Sequence, residues 1–369
     1  MDLSRAAEAA LVSALVLGEA DPADLSGRLR PGDFTDPAAA VMLEVALGAG
    51  RSGGLEAGVD LPRLLQAQGL LRRDGYPISS LLEWLPRLPT PVHAEAWATL
   101  IVAGALARQV HASGVRLLQS VDAATEHGQG PGRVLAMAEA QRAAVSSAAR
   151  RWQELPARWR ATVPAGAEPP STTTVPDGQR AEPAGSAREQ VLLAGLVAAP
   201  QLIGRLPWLD VTDFSDRACG ELFGTLRRLH EFGHPVDVVT LAAAADPASA
   251  RPDGLSPASL AASLRPELAF PTQVPFLARL VLADSVIERA RVVGEDLVGW
   301  TVSAGTVHCG TPALLAAARD RLDSLRPQAV RVENAYADTR PPPDGARRLP
   351  VTRSLTRTPP AVCLDRHAG

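Results

Sequence analysis

The 369-residue chain has no lysine, one asparagine at Asn334, and only 4% aromatic residues. The missing lysine excludes a G-x-x-x-x-G-K-[ST] phosphate loop, whose amine must reach the β- and γ-phosphates. Scarce aromatics leave the cores to Leu, Val and Ala, within a hydrophobic content of 46%. That suits packed helices better than sheets, which favour β-branched and aromatic side chains. Cysteines are few as well. Cys219, Cys309 and Cys363 are odd in number and lack metal-ligand spacing, which points to a reducing cytoplasm. The start Met1-Asp2-Leu3 has no basic leader region, and no apolar run reaches the ~18 residues of a membrane span. A soluble cytoplasmic protein that does not engage membranes is expected. The net charge of −3 gives no global electrostatic case for nucleic acid.

What the chain does have is one helical pattern written twice. Glu8 with Leu11, Val12 and Leu15 returns as Glu189 with Leu192, Leu193 and Leu196. Asp33-Phe34-Thr35-Asp36 returns as Asp213-Phe214-Ser215-Asp216, and the other matches keep that offset or lie within a few positions of it. Val59-Asp60 with Leu64 returns as Val236-Asp237 with Leu241, and Ala98-Leu100-Ile101 as Ala278-Leu280-Val281. Solenoid repeats run about 20–50 residues, so a period of nearly half the chain reads as a duplicated domain.

The expected fold is all-α: two tandem helical domains, each a small orthogonal bundle followed by an αα-hairpin, with a disordered linker and tail. The first domain is set at 1–160 and the second at 187–327. Between them, 161–186 is dense in Pro, Thr, Gly and Ala without apolar period, and reads as a flexible linker. The Arg- and Pro-rich remainder, 328–369, is expected to be disordered. From Arg340 onward it holds six arginines against Asp344 and Asp365, a local charge of +4. Asp36, Asp216, Asp60 and Asp237 read as helix N-caps, with Pro37 at a first helical position. Val59 with Leu64, and Val236 with Leu241, fit hydrophobic staples across the cap. Phe34 and Phe214 read as core aromatics. Long helices are expected over 97–118 and 276–300, each followed after a break by another, over 134–149 and 312–325.

Several segments look chemical. His230-Glu231-Phe232-Gly233-His234 matches H-E-x-x-H, which needs both histidines on one face of an unbroken helix with the Glu as general base. Gly233 and Pro235 instead signal a helix end and a turn. Gly48-Ala49-Gly50-Arg51-Ser52-Gly53 matches G-x-G-x-x-G, but follows a helix expected to end at Leu47 where a dinucleotide site requires a strand. His308-Cys309 is an isolated pair, read as an incidental loop. Arg142, Arg150, Arg151, Arg158 and Arg160 form a basic helix end that could touch phosphate, although a solvated face is the commoner meaning.

Both copies resemble the N-terminal domain of the bacterial replicative helicase, the DnaB-type family. In the second copy, Glu189-Gln190 with Leu192-Leu193-Ala194-Gly195-Leu196 is similar to that domain's first helix, and Asp213-Phe214-Ser215-Asp216 to the loop that follows. The run His230 to Leu241 resembles the family's helix end, Gly-x-Pro turn and capped helix, and Ala278-Arg279-Leu280-Val281 the start of its hairpin. The first copy keeps Arg30-Pro31-Gly32-Asp33-Phe34-Thr35-Asp36-Pro37 and Thr90-Pro91, but departs in its Gly-rich loop. The resemblance implies an all-helical, non-catalytic collar domain whose hairpins pair between subunits and which helps to engage primase. In the family a RecA-like motor follows it. No such motor is expected in this chain.

The functional expectation is therefore a non-enzymatic, replication-associated interaction protein with no cofactor and no metal. Its partners would be a helicase, a primase or a helicase loader, met through the hairpins. The apolar seam is placed on Leu100, Ile101 and Val102 in one copy and Leu280, Val281 and Leu282 in the other, since a hairpin exposes a seam unless something packs on it. The two modules are expected to pair with each other within one chain. The linker over 161–186 gives a flexible reach of roughly 28 Å, from about 5–6 Å × √n. A DNA-binding adaptor acting through Arg347, Arg348, Arg353 and Arg357 of the tail is one alternative. A metallohydrolase built on His230, Glu231 and His234 is the other.

Overall fold

In the computed structural model, residues 3–16, 19–51, 93–162, 185–245, 256–304 and 310–337 are described. Among them every regular element is a helix and none is a strand, so the protein is all-α. Residues 52–92, with Val59, Asp60 and Leu64, lie outside the described set, as do Cys309, Cys363 and all four tail arginines, Arg347, Arg348, Arg353 and Arg357.

The first part runs through α1 (Leu3–Val16), α2 (Pro22–Leu25), α3 (Pro37–Arg51), α4 (Ala94–His127), α5 (Pro131–Glu154) and α6 (Ala157–Arg160). The second runs through α7 (Gly185–Ala198), α8 (Arg217–Glu231), α9 (Val238–Ala244), α10 (Pro257–Ser263), α11 (Val274–Ala304), α12 (Thr311–Asp323) and α13 (Arg326–Ala337). Local chemistry fixes many of the ends. Asp36 accepts the Ala38 N–H at 2.7 Å and Asp216 the Ala218 N–H at 2.8 Å, satisfying amides that the first helical turn leaves orphaned. Asp237 accepts from Val239 and Thr240 at 2.8 and 2.9 Å. At its other end α4 stops at Gly128, whose φ of 60° is the left-handed conformation glycine tolerates best. Pro131 then opens α5, where a missing N–H costs nothing.

Both parts hang on the same buried acids. Glu8, 1% exposed on α1, accepts the Thr35 N–H at 2.8 Å, the Thr35 hydroxyl at 2.7 Å and the Asp36 N–H at 3.0 Å. Glu189 on α7 accepts from Ser215 N–H, Ser215 Oγ and Asp216 N–H at 2.6, 2.7 and 3.1 Å. Each carboxylate thus ties the first helix to the positive end of the next long one, α3 or α8. Asp33 and Asp213 form a second matched pair. Asp33 accepts the Arg30 N–H at 2.7 Å and a two-pronged contact from Arg151, which also donates to Arg28 C=O at 3.2 Å. Asp213 accepts the Asp210 N–H at 2.8 Å, Ser285 Oγ at 3.1 Å and Arg331, which also donates to Trp208 C=O at 2.9 Å. Arg151 and Arg331, Asp33 and Asp213, and Arg28 and Trp208 are all related by one and the same offset along the chain. Phe34 and Phe214 are buried, and the Phe214 ring lies 5.1 Å from that of Phe223.

Three boundaries differ from expectation. The second part continues through α13 to Ala337, and does not give way to a tail at 328. Its composition reads as tail, but Arg331 is a clamp on buried Asp213. Helix α3 runs on to Arg51, so Gly48 to Arg51 is its last turn and no loop starts after Leu47. Helices α4, α5 and α11 are also longer than expected at both ends, while α12 ends two residues early, at Asp323. One asymmetry has a plain cause. Helix α5 is continuous, while at the matching place α12 stops at Asp323 and α13 restarts at Arg326. Pro327 would clash with the carbonyl four residues earlier, which is that of Asp323.

Candidate interaction surface

The most extensive helix–helix contact among the described residues joins α4 to α11, one from each part. It is antiparallel: His111 lies at Thr301, Gly114 at Leu297 and Val298, Leu118 at Gly294, and Asp122 at Arg291. The helices touch backbone to backbone at two glycines. A Cβ on Gly114 would sit 2.8 Å from the Gly294 carbonyl oxygen and 2.9 Å from Leu297 Cβ. A Cβ on Gly294 would sit 2.8 Å from Leu118 Cγ and 3.3 Å from the Gly114 carbonyl oxygen. Glycine inside a helix costs about 0.5–1 kcal/mol against alanine, so close approach is what it gives in return.

Polar contacts flank the crossing. His111 Nδ1 is 2.9 Å from Thr301 Oγ1, whose own hydrogen goes to the Val298 carbonyl at 2.8 Å, so the imidazole donates. Arg291 donates to Asp122 at 3.3 Å. Alongside, α5 packs on α12 and α13, with Arg142 3.8 Å from Asp323. Within the α11–α12 hairpin, burial pushes the Asp296 carboxyl up against the pull of Arg321 at 2.6 Å. A groove of 810 Å³, lined by Leu135, Leu322, Leu325, Pro327 and Val330, opens where Pro327 breaks the helix.

The six seam residues fall in different places. Ile101, Val102, Val281 and Leu282 are buried, Leu280 is half-buried, and only Leu100, at 37%, is exposed. The starts of α4 and α11 are covered by the first helices of their own parts, α1 and α7. The pairing face lies farther along, at residues 111–122 and 291–301. A signal for it is present in the sequence: Gly114 and Gly294 are interior to two long helices and are separated by the same offset as Asp33 and Asp213.

The chemical-looking segments resolve into structure. Helix α8 ends at Glu231, Gly233 has φ +69°, and the His234 N–H donates to Leu229 C=O at 2.9 Å, closing a left-handed C-cap. His230 and His234 therefore do not share the face of one continuous helix, as the zinc pattern requires. The arginine cluster is largely spent inside the molecule: Arg151 on Asp33, Arg142 on Glu139, and Arg158 on Glu95 at 2.7 Å. Cys219 is fully buried, and burial, with Asp216 and Glu189 nearby, pushes its thiol up and away from reactivity. No helix of the described residues is long and apolar enough to cross a membrane.

A family model described as the DnaB-like helicase N terminal domain matches residues 181–258. That span holds Glu189, the Asp213 loop, α8 and its cap, and α9, and the match points to an interaction-type role related to the replicative helicase. No curated protein and no solved structure matches the chain.

Proposed function

We propose that the chain is a non-catalytic interaction protein of DNA replication, made of two helicase-collar modules that pair with each other and dock on a helicase, a primase or a helicase loader. The observation that carries this reading is the recurrence of the buried anchors. Glu8 and Glu189 accept the same three kinds of donor, and Asp33 and Asp213 are each gripped by an arginine 118 residues farther on. The two glutamates lie 181 residues apart and the two aspartates 180, an agreement that duplication explains, and Glu189 and Asp213 fall within the stretch that the family model matches. With the α4–α11 face occupied inside the chain, an outside partner would meet the outer surfaces of the modules.

The test is retention of purified helicase, primase and loader from the same organism on the immobilised full chain. At least one should be held at micromolar concentrations or below, and retention of none overturns the reading. The purified protein is also expected to show neither ATP turnover nor stoichiometric zinc by elemental analysis. The grounds are the missing phosphate-loop lysine and the broken helix between His230 and His234. ATP turnover abolished by a point mutation in the chain, or zinc lost in His230→Ala, would restore an enzymatic alternative.

A further inference from the structure

We infer that the α4–α11 face is coded for the other half of the same chain and not for a second copy, so that the molecule saturates its own pairing surface. The inference rests on the reading of the two halves as copies, because it compares positions matched by the offset that relates Asp33 to Asp213. The crossing itself is locally two-fold. Gly114 against Val298 maps under that offset onto Gly294 against Leu118, and both contacts are present. A two-fold crossing of this kind would equally accept two α4 helices or two α11 helices from different molecules.

The residues flanking the crossing break the symmetry. The match of Arg291 is His111, and the match of Asp122 is Val302. Arg291 meets Asp122 across the unlike pair, while the imidazole of His111 meets a hydroxyl. In a pair of two α11 helices, the same register sets Arg291 beside Thr301 and Val302, with no carboxylate. The second layer repeats the logic with the roles exchanged. Arg142 of the first half meets Asp323 of the second, and their matches are Leu322 and Ala143. A like pair would set Arg142 against Ala143 and Asp323 against Leu322. Each half thus supplies one arginine and one aspartate to the unlike pair, and every like pairing breaks both Arg–Asp contacts: Arg291 then faces Thr301 and Val302, Arg142 faces Ala143, Asp323 faces Leu322, and Asp122 faces the imidazole of His111. Specificity here is a difference between pairings, written partly as what the wrong pairing loses. Single exposed ion pairs are weak, at about 0.2–1 kcal/mol, so discrimination comes from losing both, and from the tether. Both halves belong to one chain, so pairing within it does not depend on concentration as pairing between copies does.

Three full-length proteins test this: wild type, Asp122→Arg, and Asp122→Arg with Arg291→Asp. Light scattering on a sizing column should give the mass of one chain for the wild type from micromolar to about 100 micromolar, the range in which an open apolar face would associate. Asp122→Arg places two arginines together and should weaken the unlike pair about fivefold, read as a lower thermal midpoint. The double reversal should recover the midpoint, which a merely structural role for either side chain would not produce. A wild type that is dimeric on dilution, or a double variant whose loss equals the sum of the single losses, overturns the inference. Failure to bind any replication protein, with mass and rescue as expected, would remove the proposed partner and leave the pairing intact.

Discussion

Asp213→Asn is expected to destabilise the protein by about 3 kcal/mol, the low end of what removing one member of a buried ion pair costs. The Asp213 side chain is fully buried, and its oxygens take Arg331 from α13, Arg289 and Ser285 from α11, and the Asp210 N–H. Asparagine keeps the shape, so packing is preserved, and the loss is the negative charge together with the hydrogen bonds accepted by the oxygen that becomes an NH2. What remains is a pair of guanidinium groups, Arg331 at 20% and Arg289 at 32% side-chain exposure, with no carboxylate between them. Their partial access to water holds the cost at the low end. Arg331 is also the main polar tether of α13, so loosening should begin at that helix. The experiment is urea denaturation of wild type and variant, where a shifted midpoint at unchanged slope reports stability alone. Arg217→Ala is the control. Its bond to Glu221 is a surface i,i+4 contact with the arginine 69% exposed, and its removal should cost under about 0.5 kcal/mol. Equal effects for the two variants would mean that Asp213 is not the anchor described.

The parts of this fold legible in the sequence are those set by neighbouring residues. Asp36, Asp216 and Asp237 cap helices because an aspartate before a helix can reach amides two or three residues ahead, and nothing distant is needed. The recurring Glu8, Glu189, Asp33 and Asp213 are visible in the sequence as landmarks but not as buried anchors. Their donors lie 26–28 residues away for the glutamates and 118 for the arginines, and no local pattern joins them. The same distance hid α13. Arg331 looks like a tail arginine until Asp213 is placed beside it. Hydrophobic periodicity places the seam about three turns too early on each hairpin, because it marks which face is buried but not what buries it. At Ile101 and Val281 the cover comes from within each half, and at Gly114 and Gly294 from the opposite half.

Gly114→Ala supplies the sharpest reading of that crossing, because two effects of opposite sign compete there. Helix propensity favours alanine over an interior glycine by about 0.8–1 kcal/mol, so an isolated α4 would gain. Overpacking opposes it: the new methyl would lie 2.8 Å from the Gly294 carbonyl oxygen, 2.9 Å from Leu297 Cβ and 3.0 Å from Val298 Cγ2. Two of those atoms are backbone or the first carbon of a side chain, so no rotamer change removes them and the helices must separate. Forcing a methylene into a packed site costs about 1–3 kcal/mol, and here the displacement is carried along helices of 34 and 31 residues. With the propensity gain subtracted, the upper end of that range leaves a net loss of about 2 kcal/mol. Gly294→Ala should lose less, since its nearest contacts are Leu118 Cγ and Cδ2, which can swing aside, and the opposing carbonyl is 3.3 Å away. Gly299 lies five residues farther along α11 with nothing within 4 Å, so Gly299→Ala should stabilise by about 0.5–1 kcal/mol. Denaturation midpoints then have to fall in one order: Gly299→Ala above wild type, Gly294→Ala below it, and Gly114→Ala lowest. A Gly114→Ala protein as stable as Gly299→Ala would mean that α4 and α11 do not meet backbone to backbone, and the internal pair would have to be redrawn.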